Sequence, residues 1–138
     1  MAKTNDIVNL VILWCKTNHV RITNARLQKF LFLLQLEYAS EYKQSLFDQA
    51  FCCWQFGPVI PSVYYDYCIY GMDEIDIAIN PNTVNKEYAI FVAKTLEKYG
   101  DLPTGELIRL CRNSEPVKYM LQMFGYDTYI PENCYYKR

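Results

Sequence analysis

The chain is poor in the residues from which active sites are most often built. It has one histidine and five scattered glycines among 138 residues. A lone imidazole cannot supply a histidine-rich metal site, and no glycine cluster forms a loop able to cradle phosphate. Cysteines stand at 15, 52, 53, 68, 111 and 134, with no Cys-x-x-Cys pair among them. Neither a zinc ribbon nor a dithiol redox motif is therefore spelled, and free thiols in apolar surroundings are the expected state. No metal and no cofactor are expected. Uninterrupted apolar stretches fall short of the ~18 residues that a membrane-spanning helix needs. The apolar run from Ile7 to Cys15 has no small-residue cleavage site behind it, so no signal peptide is read. The expected location is cytoplasmic, with no membrane partner.

What is present points to a packed globular domain. Hydrophobic residues make up 51% of the chain and charged residues 21%, which excludes a disordered polypeptide. The length suits one domain over residues 1–138 with a core of its own. A net charge of −1 argues against a dedicated nucleic-acid binder. Charge is nevertheless uneven. Residues 7–36 hold Lys16, Arg21, Arg26 and Lys29 and no acid, whereas residues 37–76 hold Glu37, Glu41, Asp48, Asp66, Asp73, Glu74 and Asp76 against Lys43 alone. Such asymmetry could steer a protein partner, but solvated faces are the favoured explanation. Thirteen tyrosines suit a protein interface, because a tyrosine offers apolar area with a polar tip and loses little rotamer entropy. A genome rich in A+T would enrich tyrosine too.

Periodicity yields a mainly α fold, a compact bundle of about six helices with a short two-stranded β element. A first helix runs from the caps Thr4, Asn5 and Asp6 to about Asn18. A second, capped by Thr23, places Leu27, Phe30, Leu31, Leu34 and Tyr38 on one face. Phe32, Leu33 and Leu36 widen that stripe, so this helix is expected at the centre. Ala50 to Phe56 reads as a strand. Pro61 opens a third helix and Gly71 closes it. Ile75, Ile77 and Ile79 alternate with Asp76 and Ala78, which predicts a second strand pairing with the one near Trp54. Further helices are expected over about 84–99, through Arg112 after Pro103, and from Pro116 towards Gly125. The tail from Asp127 to Arg138 is aromatic and expected to dock.

The most shaped segment is Trp54-Gln55-Phe56-Gly57-Pro58-Val59-Ile60-Pro61-Ser62-Val63-Tyr64. Two prolines fix φ, the residue before each is held extended, and Gly57 supplies the turn, so Phe56 to Pro61 is predicted as a rigid non-helical bend. Together with Leu27-Gln28-Lys29-Phe30-Leu31-Phe32 and Leu46-Phe47 it resembles the Panacea domain, found in antitoxins of toxin–antitoxin pairs and in phage-encoded proteins. The signature positions are Leu27, Gln28, Lys29, Trp54, Gly57, Pro58, Val59 and Pro61, followed by Tyr64. Cys111, Arg112 and Val117 stand where the family usually has threonine, histidine and tryptophan, while Glu115 and Pro116 follow its pattern. The resemblance implies an antitoxin-like domain that binds a protein toxin and neutralises it in a direct complex, by occlusion or by presenting it to a protease. The alternative is a phage-encoded inhibitor that occludes a host defence protein such as a CRISPR nuclease.

No catalytic group competes with that reading, and the chain is expected not to be an enzyme. Cys15 and His19 are neighbours at helical spacing, but apolar surroundings keep a thiol protonated and inert. Asp73, Glu74 and Asp76 read as solvated turn residues. Arg26 and Lys29 follow a turn as on a recognition helix, yet Leu27, Phe30, Leu31 and Phe32 leave little polar surface for bases. Lys29 on so apolar a helix needs a partner or an exit. Either Gln28 and Lys29 satisfy carbonyls of the Gly57–Pro58 bend, the favoured reading, or they edge a partner-binding groove. Trp54 is expected in the core. The partner-binding candidates are Tyr64, Tyr65, Tyr67 and Tyr70 of the third helix, with Lys29 and Arg26 beside them. Homo-oligomerisation is left open.

Overall fold

A computed structural model describes residues 1–136, so the last two positions of the expected tail lie outside the described residues. Its elements are α1 (Thr4–Thr17), α2 (Asn24–Tyr42), β1 (Cys52–Trp54), β2 (Gly57–Val59), α3 (Pro61–Tyr67), α4 (Ala89–Tyr99), α5 (Thr104–Arg112) and α6 (Glu115–Met123), with single 3-10 turns at Cys68–Tyr70 and Glu132–Cys134. The fold is mainly α, six helices around one antiparallel hairpin.

Helix α2 is the hub, touching α1, α3, α4, α5 and β2. Every residue from Arg26 to Gln35 is buried, because neighbours lie on all sides and leave no solvated face. Phe30, Leu31, Phe32 and Leu34 are fully buried with Ile7, Val11 and Ile12 of α1, Leu96 of α4 and Leu107 of α5. Each such side chain contributes roughly 1.5–3 kcal/mol of burial free energy. Thr23 caps α2, its hydroxyl accepting from the Arg26 amide at 3.2 Å. At α1 the cap comes from elsewhere. Thr4 is already helical, and its amide and hydroxyl both donate to Asp48 Oδ1, at 3.2 and 2.6 Å. A carboxylate there also complements the helix dipole.

The hairpin differs from the expected one. β1 pairs with β2 across a two-residue turn, with Cys52 opposite Val59, Cys53 opposite Pro58 and Trp54 opposite Gly57. The bend at Gly57–Pro58 is therefore itself a strand, and Met72–Ile79 forms no strand. The reason is proximity: a two-residue loop closes with little entropy cost, and the distant isoleucines are used otherwise. Ile75 is fully buried beside the α1–α2 turn, its amide donating to the Ile22 carbonyl at 2.9 Å, while Ile77 is exposed. The other side of β1 is taken by the tail. Cys53 donates to Thr128 O and accepts from the Asp127 amide, both at 2.8 Å, and Ile130 donates to Phe51 O at 2.9 Å. The tail thus docks through backbone pairing as well as through Tyr135, which is buried near Phe32.

Helix α4 starts later than expected, at Ala89. Asn80 and Asn85 accept from the amides two residues on, at 2.9 and 3.0 Å, and such local turns compete with helix formation.

Arg26, expected at a partner surface, is 5% exposed. Its guanidinium donates to Arg21 O at 2.8 Å, Leu102 O at 2.7 Å, Gly100 O at 2.9 Å and Thr104 Oγ1 at 3.3 Å, and lies 5.1 Å from the Phe30 ring centre. The fork staples α2 to the corner between α4 and α5, where helix-end carbonyls have no other donor. That assignment is corrected: the side chain is engaged inside the fold. Arg26→Leu should destabilise the protein by about 3 kcal/mol, because buried carbonyls lose their donors. Arg26→Lys should recover little of this, since an ammonium cannot reproduce the fork. Denaturant unfolding of the three proteins measures both effects.

Candidate functional site

The outer edge of β2 decides the geometry of the site. Cys53 directs its N–H and C=O to the tail, so Pro58, opposite it, turns its own carbonyl away from β1. The missing proline N–H costs nothing at such a position. The carbonyl still needs a donor, and Lys29 provides it, with Nζ 3.0 Å from Pro58 O. Two residues on, the Ile60 amide points the same way and donates to Gln28 Oε1 at 3.0 Å. Gln28 and Lys29 therefore do for this edge what a third strand would do. Gln28 takes up the Ile60 amide, where a second carbonyl had been the expected partner. The chain of bonds continues through Gln28 Nε2 to Asn24 Oδ1 at 3.1 Å and Asn24 Nδ2 to Tyr64 O at 3.0 Å. It ties α2, β2 and α3 together.

Gly57 makes this approach feasible. Its φ is +111°, and a Cβ built there would lie 2.8 Å from Lys29 Cε. The positive φ strains any side chain, and a Cβ would also push the Lys29 tip away from Pro58. Opposite, Cys111 on α5 donates to the Lys29 carbonyl with Sγ at 3.7 Å. Arg112 holds the hairpin turn from outside, Nη1 donating to Gln55 O at 2.6 Å and Nη2 to Tyr126 Oη at 3.1 Å. Val117 is buried. Of the three departures from the family pattern, Cys111 and Arg112 thus bond to this site, and Val117 belongs to the core.

Above this network lies a groove of about 870 Å³, lined by Asn24, Gln28, Lys29, Trp54, Phe56, Gly57, Tyr64, Met72, Ile108 and Tyr126 among others. Trp54 is half-buried, and the expectation that it belongs to the core gives way. It forms an aromatic wall with Tyr64 and Tyr65, edge to face at 5.0 and 6.2 Å between ring centres. Tyr65 is exposed, as are Phe56 at 68% and Met72 at 89%. Tyr67 and Tyr70 lie apart from this wall. Both pack partly onto the core, and Tyr70 donates its hydroxyl to Asp76 O at 3.2 Å. Of the four tyrosines on this stretch, Tyr64 lines the groove, Tyr65 stands beside it against Trp54 and Tyr64, and Tyr67 and Tyr70 pack elsewhere. Met72, Ile108 and Tyr126 were missed from sequence, whereas Phe56, an aromatic beside the bend, could be read there either as surface or as core. A bulky apolar residue at a hairpin tip was the available signal for Phe56.

Among the described residues no three His, Cys, Asp or Glu side chains gather to hold a metal ion. Burial pushes the thiols of Cys15 and Cys111 up to about 12, and His19 is exposed past the end of α1. At pH 7.5, brief treatment of the folded protein with iodoacetamide should label exposed Cys68 and leave Cys15 and Cys111 unmodified. Peptide mapping checks this, and labelling of Cys15 or Cys111 would show them more accessible than described.

Gly57→Val should lower stability by about 2–4 kcal/mol, from backbone strain and from the clash with Lys29. Adding Lys29→Ala should relieve only the clash, so the double variant should remain well below wild type in thermal unfolding.

No curated protein and no solved structure matches the chain. No helix among the described residues is long and apolar enough to cross a membrane. The family model of the antitoxin SocA-like Panacea domain matches residues 27–116. That span runs from Leu27 in α2 through the hairpin and α3 to Pro116 in α6, and it contains Gln28, Lys29, Pro58, Ile60 and Tyr64 of the hydrogen-bonded network beneath the groove, while Asn24 precedes it. It covers well over half of the sequence, and the chain belongs to the antitoxin SocA-like Panacea domain family.

Proposed function

We propose that this chain acts as an antitoxin by capturing a protein toxin in the groove between the hairpin and α3, with no bond made or broken. The observation that carries the reading is the exposure of Phe56 and Met72 on a groove whose floor is rigidly hydrogen-bonded, with Tyr65 exposed beside its aromatic wall. Large apolar side chains clustered at the surface mark interaction sites when a rigid scaffold presents them. Trp54 and Tyr64 offer flat, pre-positioned area at low entropy cost. Neutralisation requires shape and desolvation, which this surface provides. It requires no nucleophile, in keeping with the buried, protonated state of Cys15 and Cys111. Family membership supports a toxin as the class of partner. Covering the toxin's active surface is sufficient for the effect, and delivery of the complex to a protease would add to it.

An affinity pull-down from the native host, followed by mass spectrometry, tests the proposal. Wild type should retain a toxin whose growth inhibition it relieves on co-expression. Phe56→Ser combined with Tyr65→Ser should reduce capture tenfold or more while leaving the melting temperature within about 2 °C, since both side chains are exposed. Ile90→Ser, equally exposed but on α4 away from the groove, should change nothing. Undiminished capture by the double variant would remove the groove as the docking face.

A further inference from the structure

The floor of the groove holds a cation without an anion. Lys29 is 3% exposed and lines the groove, and its ammonium makes one hydrogen bond, to Pro58 O. An ammonium has three N–H donors, so capacity remains. The ion pairs among the described residues are Arg21 with Glu74, Lys98 with Glu37 and Arg109 with Glu106, none of which involves Lys29. The other polar side chains on the floor are already committed: Gln28 bonds Ile60 and Asn24, and Asn24 bonds Tyr64. Asp127, the one acidic residue lining the groove, is exposed at its rim. Burial without a countercharge pushes the Lys29 ammonium down to about 8, as desolvation does to any unpaired cation.

Around this cation the walls are aromatic and apolar, from Trp54, Phe56, Tyr64, Met72 and Ile108. A ligand that suits the groove brings one negative charge to the floor and apolar surface to the walls. A phosphate fits poorly, because one ammonium cannot balance a dianion that would also face Asp127. We propose that the groove receives a segment of the partner protein in which an acidic side chain stands next to an aromatic one, the carboxylate meeting Lys29 and the ring lying against Trp54 and Tyr64. The proposal rests on the capture of a protein through this groove and names the chemistry of the captured segment.

The test is a titration of the isotope-labelled full chain, followed by amide and indole chemical shifts. The probes are acetyl-Asp-Phe-amide and its neutral isostere acetyl-Asn-Phe-amide. The acidic peptide should shift the Trp54 indole and the Gly57 amide and bind at least fivefold more tightly than the neutral one. In Lys29→Met the two peptides should bind alike. Where that variant does not fold, the preference measured on wild type carries the test by itself. Equal affinities on wild type, or shifts confined to residues outside the groove, overturn the inference. A toxin captured through Phe56 and Tyr65 with no preference for the acidic peptide sinks the carboxylate site and leaves toxin capture standing. A clear preference for the acidic peptide with no captured toxin upholds the site and sinks the toxin reading.

Discussion

The outer edge of β2 must be satisfied by something other than a strand, and most of the structure around the hairpin follows from that. Strand edges expose N–H and C=O groups that cannot be buried unpaired. Here a central helix covers the edge, and helices have no free backbone groups along their length to offer. Side chains must stand in, one donating and one accepting, at a spacing that meets Pro58 O and Ile60 N–H together. Gln28 and Lys29 do this from adjacent positions on α2. Gly57 is then required for clearance, and the absent N–H of Pro58 is harmless because of the direction in which it points.

The same helix carries a second buried cation used in the same way. Arg26 and Lys29 both end on backbone carbonyls, and neither forms an ion pair with a carboxylate among the described residues. Burying the Lys29 charge is expensive: a fall from the usual 10.5 to about 8 corresponds to about 3 kcal/mol. What it secures is orientation. Arg26 sets α2 against the α4–α5 corner, and Lys29 with Gln28 sets it against the hairpin. Apolar packing alone tolerates sliding, whereas these bonds have one geometry.

A groove above that network is a consequence of how it is built. Gly57 contributes no side chain, and Trp54, Tyr64 and Tyr65 stack on one another beside it. Arg112 then braces the turn against Tyr126. Rigid support below and mutually packed, partly exposed aromatics above are what a docking surface needs, since less order remains to be imposed on binding.

Several features were legible in the residues alone. The apolar spacing from Leu27 to Tyr38 marked α2 as central, Pro61 marked the start of α3, and the run of glycine and prolines marked a shaped bend next to Gln28 and Lys29. These are local signals, set by periodicity and by φ restriction, and they survive whatever packs nearby. Other features depended on distant chain. The alternating isoleucines after Met72 looked like a strand, but Gly57–Val59 was closer to β1 and the tail took its other side. Arg26 and Trp54 each exchanged places with expectation, one going inside and the other to the groove. A side chain's type says what it can bond or cover. Whether it is covered depends on which remote segment comes to lie over it, and for Arg26 that segment is Gly100 to Thr104, a contact that no local pattern encodes.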